Sequence, residues 1–195
     1  ILVNMNFFYF ECIKIPQNFK VSFNNQKLKI SHLDKDFNLL INNALMIDIV
    51  GSNFLYLRYN PQILKTQSSK KRLWRRCSSL FFTYKRKINQ IFFGLAIGYH
   101  KILSLEGVGY KAEICSISNS LEFKLGFSHE IKTLVPKNVL VYCPKETLIL
   151  LKSESSDLLG TLSANFQKYK SPDVYKNKGI LIRGKFLQTK KLKKK

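Results

Sequence analysis

The sequence predicts an α+β chain: two similar domains, each a small, mostly antiparallel sheet covered by one helix, followed by a basic C-terminal tail. Three observations carry that reading. Short runs of alternating apolar and polar residues, broken by Asn, Gly and Pro, fill much of the chain, as half-buried strands do. Two longer segments instead place apolar residues at spacings of three and four, the stripe a helix buries against a sheet. The order of strands followed by one helix then occurs twice, with a boundary near residues 98–104. A sheet with one apolar face needs a covering layer, and one helix per half supplies it. The expected divisions are an N-terminal extension over 1–15, a first domain over 16–100, a second over 101–184 and a tail over 185–195.

In the first half, residues 20–23 and 27–30 flank Asn24-Asn25, and 37–41 and 45–49 flank Asn42-Asn43. Asn tolerates the positive φ of a tight turn, so both pairs read as hairpins. Residues 53–59 form another alternating run, ended by Asn60-Pro61 because proline cannot continue a ladder. The stretch 66–87 is basic, and a helix stripe follows at Phe81, Tyr84, Ile88, Ile91, Phe92 and Leu95. Strands resume at 101–105, 108–117, 121–127, 139–143 and 148–151, with Ser118-Asn119-Ser120 as a turn. Ser155 or Ser156 can cap a second helix, with Asp157 favourable in its first turn. Leu158, Leu162, Phe166 and Tyr169 form its expected buried stripe, and Ser171-Pro172-Asp173 stops it.

With 195 residues, 45% of them hydrophobic, the chain can build real cores. Its charge has another origin. Lys and Arg number 33 against 12 Asp and Glu, a formal net charge of +21, and unpaired like charges destabilise a compact state. Something outside the chain is expected to supply the counter-charge: phosphate, or an anionic membrane surface. Phe, Tyr, Ile, Asn and Lys, all with A/T-rich codons, make up 84 of the 195 residues, and the sequence opens on Ile1 with its first Met at Met5. The codon bias points to an organelle-encoded gene, and the start on Ile1 fits either a nonstandard start codon, common in such genes, or a fragment. Neither a secretory signal nor an Arg-rich transit peptide is evident, so synthesis inside the organelle is expected. The longest apolar run, 91–99, is far short of the ~20 residues a spanning helix needs.

The search for catalysis finds nothing. Cys12, Cys77, Cys115 and Cys143 are far apart, without zinc spacing, and read as reduced thiols. His32, His100 and His129 stand in separate contexts, and the scarce acids form no general acid–base pair. Gly107-Val108-Gly109 lacks the third glycine and the following helix of a dinucleotide loop, so a bulge or close backbone approach is expected there. No catalytic residue, metal site or cofactor is expected.

The last third is more informative. From residue 161 onward eleven basic residues face one acid, Asp173. Lys168, Lys170, Tyr175, Lys176, Lys178 and Gly179 bring ammonium groups beside a Tyr ring and a glycine. Lys meets phosphate as a point charge, Tyr can stack on an unpaired base, and Gly allows close approach of an RNA backbone. The bland alternative is a solvated face with a disordered tail.

Several motifs here resemble one family. They are Leu105-Glu106-Gly107-Val108-Gly109-Tyr110-Lys111-Ala112, then Leu125-Gly126-Phe127-Ser128-His129, Pro136, Cys143-Pro144 and Leu159-Gly160. Residues 169–180 and a Lys-rich end complete the series. In order and spacing across 102–195 the chain is similar to bacterial-type large-subunit ribosomal protein six, with Gly94 and Gly98-Tyr99 extending the match. Glu130 stands where the family usually has Pro, Val174 where it has Pro and Asn177 where it has Gly.

The resemblance implies a duplicated α+β fold and a non-catalytic structural role in the large ribosomal subunit. It also implies a place on large-subunit rRNA near the factor-binding side and the sarcin–ricin loop, with the second domain as main anchor. The expected rRNA-binding residues are Lys168, Lys170, Tyr175, Lys176, Lys178, Gly179 and Arg183, the tail residues Lys185, Lys190 and Lys191, and Ser128 and His129. Lys70, Arg72, Arg75 and Arg76 form a second expected patch. The tail is expected to order only on RNA. Expected partners are large-subunit rRNA and neighbouring large-subunit proteins, with no membrane and no small-molecule substrate. The expected location is a mitochondrial ribosome on the matrix side, with plastid as the alternative. The rival readings are a basic peripheral membrane protein and an RNA-processing enzyme.

Overall fold

A computed structural model describes residues 11–33, 35–51, 53–60, 70–115 and 120–190. The chain divides into two compact units, Ile1–Ala96 and Ile97–Lys195. Unit 1 holds β1 (Glu11–Lys14), β2 (Phe19–Asn24), β3 (Lys27–His32), β4 (Lys35–Leu40), β5 (Leu45–Val50), β6 (Phe54–Tyr59) and α1 (Lys70–Ala96). Unit 2 holds β7 (Tyr99–Glu106), β8 (Lys111–Cys115), β9 (Ser120–Lys124), β10 (Ile131–Leu134), β11 (Val139–Lys145), β12 (Leu148–Ser153), α2 (Ser156–Tyr169) and β13 (Gly179–Ile182).

The two units repeat one plan. In unit 1 the first, sixth and fifth strands pair as β1-β6-β5, and β2-β3-β4 form a second antiparallel sheet. In unit 2 the equivalent strands pair as β7-β12-β11 and β8-β9-β10. The strands of each unit thus divide between two sheets, with one helix completing the core. Unit 2 adds one strand: after α2 the chain loops back as β13, which pairs antiparallel with β7. That extra strand draws the basic segment between α2 and β13 onto the body of the unit.

Each core follows from the patterning. On α1, Phe81, Ile88, Ile91, Phe92 and Leu95 are buried among Leu28, Ile30, Leu55 and Leu57, with Tyr84 half-buried. Phe92 meets Phe19 edge-on at 5.1 Å, and Phe19 stacks on His32, which gives that histidine a structural contact. On α2 the buried residues are Leu159, Ser163 and Phe166. Of the expected stripe, Phe166 is buried and Leu162 and Tyr169 pack half-buried against the core, while Leu158 is exposed and Leu159 takes its place. A serine holds the core position because its polar atoms are satisfied: Ser163 Oγ donates to the Gly160 carbonyl and accepts from Lys101 Nζ. Ser155 is the N-cap, its hydroxyl accepting from the Leu158 N–H.

Several sequence expectations shift. The first hairpin turns at Asn25-Gln26, both with positive φ, rather than at Asn24-Asn25, because Asn24 pairs with Lys27. Asn42-Asn43 is not a hairpin. β4 pairs with β3 and β5 with β6, and neither Asn is in the left-handed region that a two-residue hairpin turn requires. Asn42 instead caps a connection between sheets, its Oδ1 accepting from the Ala44 N–H. Glu11–Lys14, within the stretch expected to be an extension, pairs with β6, and Ile13 and Ile15 are buried. The basic stretch expected before the first helix is its opening: α1 begins at Lys70. The strand expected from residue 108 begins at Lys111, and β10 and β13 were not expected. Ser118 and Asn119 of the expected turn lie outside the described residues, and Ser120 opens β9.

Candidate nucleic-acid interface

Three loops of unit 2 come together at one end of its sheets. The turn 107–110 leaves β7 immediately after Glu106, whose partner across the sheet is Gly179. A Cβ at Gly126 would lie 3.5 Å from the Tyr110 ring, placing loop 126–130 beside that turn. Lys170 Nζ sits 4.5 Å from the centre of the Phe127 ring, which ties loop 126–130 to segment 170–178. Phe127 in turn stacks near His129 at 6.3 Å. Expected site residues from two separate stretches, Ser128 and His129 with Lys170, are therefore neighbours.

Segment 170–178 is a closed turn rather than a loose strap. The Asp173 N–H donates to the Lys178 carbonyl, the Asn177 N–H to the Asp173 carbonyl, and the Tyr175 N–H to Asp173 Oδ1. Asn177 has φ 55, a left-handed conformation that Gly takes freely and Asn tolerates best among the others. Asn177, where the resemblance expects Gly, is thus able to meet the same backbone demand. The turn presents Tyr175, Lys176 and Lys178 to solvent, with Lys168 exposed on the last turn of α2 and Arg183 exposed just after β13.

Charge is distributed unevenly around this surface. Four acids of unit 2 are paired with lysines outside the cluster: Glu146 with Lys111, Glu113 and Glu130 with Lys124, and Glu122 with Lys132. The hydrogen bond to Glu130, then the field of Glu113, hold the Lys124 ammonium above its ordinary pKa. Glu130, a departure from the family pattern, is therefore paired within its own sheet. Among the described residues these pairs leave out Lys168, Lys176, Lys178 and Arg183, so the positive charge of the cluster stays available to an external anion.

Two expected roles change. Gly179 is buried, and a Cβ there would fall 2.7 Å from Pro172 Cα and 2.8 Å from the Ser171 carbonyl oxygen. The close approach that demands glycine is to the chain's own backbone, not to a ligand's. The tail, expected to order only on RNA, folds back as far as Lys190, whose N–H donates to the Val174 carbonyl, while Lys185 Nζ donates to Gln167 Oε1. Lys191 lies outside the described residues. Phe127 was missed as a site residue. Its signal was present, because Leu125 and Phe127 are both apolar at positions where one-sided alternation would bury both, yet Phe127 is 44% exposed.

Lys70, Arg72, Arg75 and Arg76 fall in the first two turns of α1, and beyond that backbone placement they lie outside the described residues. Among the described residues no group of His, Cys, Asp and Glu could hold a metal, and no helix is long and apolar enough to cross a membrane.

The chain is similar end to end to bacterial proteins named large ribosomal subunit protein uL6. It is 30% identical to that of Tolumonas auensis, covering 94% of this chain and 96% of the relative. With that of Actinobacillus succinogenes it shares 28% identity over the same proportions. With that of Dinoroseobacter shibae it shares 40% over 52% of this chain and 56% of the relative. No protein-family model matches the chain. With identity at that level along nearly its whole length, and two units of one α+β plan, the chain belongs to the uL6 family of large ribosomal subunit proteins.

Proposed function

We propose that the chain is a non-catalytic constituent of the large ribosomal subunit, fixing large-subunit rRNA by neutralising its phosphates, with unit 2 as the main anchor. The observation that carries this reading is its end-to-end relationship to bacterial uL6 proteins. The surface around Lys168, Lys170, Tyr175, Lys176, Lys178 and Arg183 supports it. Among the described residues those cations form no ion pair, so each phosphate they meet releases a condensed counter-ion, and affinity falls steeply with salt. Tyr175 and the Phe127–His129 pair add rings on which unpaired bases can stack. Ser128, Lys185, Lys190 and Lys191 belong to the same proposed face, and Lys70, Arg72, Arg75 and Arg76 to a second.

In this reading the anchor lies near the factor-binding side of the subunit, beside the sarcin–ricin region, with neighbouring large-subunit proteins as further partners; the family resemblance supports it. The preference for residues with A/T-rich codons supports an organellar ribosome, mitochondrial in our reading and plastid in the alternative. The chain should co-sediment with large subunits through a high-salt sucrose gradient. With isolated rRNA, Lys176→Ala combined with Lys178→Ala should lower the log–log salt slope by ~1.5. A native chain found free of ribosomal particles would end this reading, and an unchanged slope would remove the two lysines from the interface.

A further inference from the structure

We propose that Phe186 is a base-stacking residue: segment 184–190 is folded so as to hold its ring in solvent, where it receives an unpaired base of an RNA strand whose phosphates meet Arg183 and its neighbouring lysines. The inference rests on the ribonucleoprotein reading above and deepens it, by giving a stacking role to a residue that neither the charge pattern nor the family resemblance singles out.

The ring is 90% exposed. Among the described residues no second ring and no cation packs on it. A ring left in water contributes almost nothing to folding, because its apolar area is never removed from solvent. Yet the backbone that carries it is tied down on both sides. Before it, the Arg183 N–H donates to the Ile102 carbonyl on β7, and Gly184, with φ +89, turns the chain away from β13. The Lys185 N–H then donates to the Ile182 carbonyl, and Lys185 Nζ to Gln167 Oε1 on α2. After it, Leu187 is half-buried and the Lys190 N–H donates to the Val174 carbonyl. Phe186 is thus presented from a closed loop. A ligand that meets it need not order the loop first, which lowers the entropic cost of binding.

The charge around the ring selects the kind of partner. After Asp173 the sequence holds no acid, and Arg183, Lys185 and Lys190 flank Phe186. Lys185 rests on a neutral amide rather than on a carboxylate, so its positive charge is uncompensated. Such surroundings attract a polyanion. Phosphate alone has no use for a ring, but an unpaired base offers it a π-face while the phosphates on either side reach the cations. A duplex hides its base faces in the stack, so the ring favours a single-stranded segment. An anionic membrane would instead need a continuous apolar face. Here the residue before the ring is an exposed lysine and the residue after it is turned partly inward.

The test titrates the full chain with a fluorescein-labelled oligouridylate of about twelve nucleotides, an RNA duplex of equal length, and phosphatidylglycerol-containing vesicles. Phe186→Leu keeps the apolar bulk but loses the ring. It should weaken oligouridylate binding about tenfold and leave the log–log salt slope unchanged, because no phosphate contact is lost. Phe186→Tyr should bind like wild type, and duplex binding should be the same in all three chains. Arg183→Ala should instead lower the oligouridylate salt slope by ~0.7. Melting temperatures should not move with either substitution at Phe186, and a fall would show that the ring serves the fold. A Leu variant that binds oligouridylate like wild type, loses duplex binding equally or lowers the salt slope overturns the proposal. So does an Arg183→Ala slope equal to wild type, or vesicle binding that falls with Phe186→Leu while oligouridylate binding does not. In those cases co-sedimentation of the wild-type chain with large subunits would still uphold the ribosomal reading, whereas its failure would remove both.

Discussion

Gly179→Ala should damage unit 2 itself, before any ligand is considered. A methyl group at this position meets Pro172 Cα at 2.7 Å and the Ser171 carbonyl oxygen at 2.8 Å, main-chain atoms that no rotamer change moves aside. Its φ of +141 is also one that L side chains rarely adopt. Strain of that kind costs about 1–3 kcal/mol, and forcing a methyl into a packed site costs about 1–3 kcal/mol more. Gly184→Ala isolates the first contribution, because Gly184 has φ +89 with nothing within 4 Å. In a unit of roughly a hundred residues each kcal/mol moves Tm by ~4–8 °C. Gly184→Ala should therefore lower the unit 2 transition by about 4–24 °C, and Gly179→Ala by about twice as much as Gly184→Ala does. Scanning calorimetry of the full chain measures both. The damage should reach the basic turn, because the Ile180 N–H donates to the Lys170 carbonyl and the Asp173 N–H to the Lys178 carbonyl on either side of the clash. If Gly179→Ala melts like wild type yet loses rRNA affinity, the reasoning is refuted, and the glycine serves the RNA backbone instead.

Other expectations follow from single contacts. Ser155→Ala removes the hydroxyl that accepts from the Leu158 N–H and should cost about 1 kcal/mol, read from urea midpoints; Ser155→Thr should restore most of it. Burial pushes the Cys143 thiol up, so its thiolate is scarce at mildly alkaline pH. Iodoacetamide should modify Cys143 more slowly in the folded chain than in urea, and equal rates would contradict the burial. The hydrogen bond from Lys29 holds the exposed Asp36 carboxyl below its ordinary value. Its contribution is present above the ordinary carboxylate range and lost as pH falls through the lowered value. The stability gap between wild type and Asp36→Asn should therefore close in acid, and a gap that widens there would speak against the pair.

How much was legible depended on how local the cause was. The helix stripe at Phe81, Ile88 and Leu95, the cap at Ser155 and the stop at Pro172 depend on residues within a turn of one another, and all are visible in sequence. The Lys-rich cluster is equally visible, because charge excess is a sum that folding does not change. What pairs with what was not. Asn42-Asn43 has the composition of a hairpin, but β4 and β5 belong to different sheets whose partners lie elsewhere in the chain. Gly179 looks like a ligand-facing glycine until β13 is seen against β7 with the Ser171–Pro172 backbone pressed upon it. Leu158 and Leu159 are interchangeable by pattern within one helical turn, and only the sheet beneath α2 selects the second.

The amino-acid order by itself determined the element types, the repeat of strands and helix, and the demand for a polyanionic partner. Each of these arises from short-range periodicity or from net charge. The tertiary structure decided that loops starting at residues 107, 126 and 170 share one surface, which cations pair with acids among the described residues, and which glycine is internal. Those outcomes depend on contacts between segments far apart in the chain, where a hydrogen-bonded ladder or a packed ring accepts one partner among many that local pattern allows.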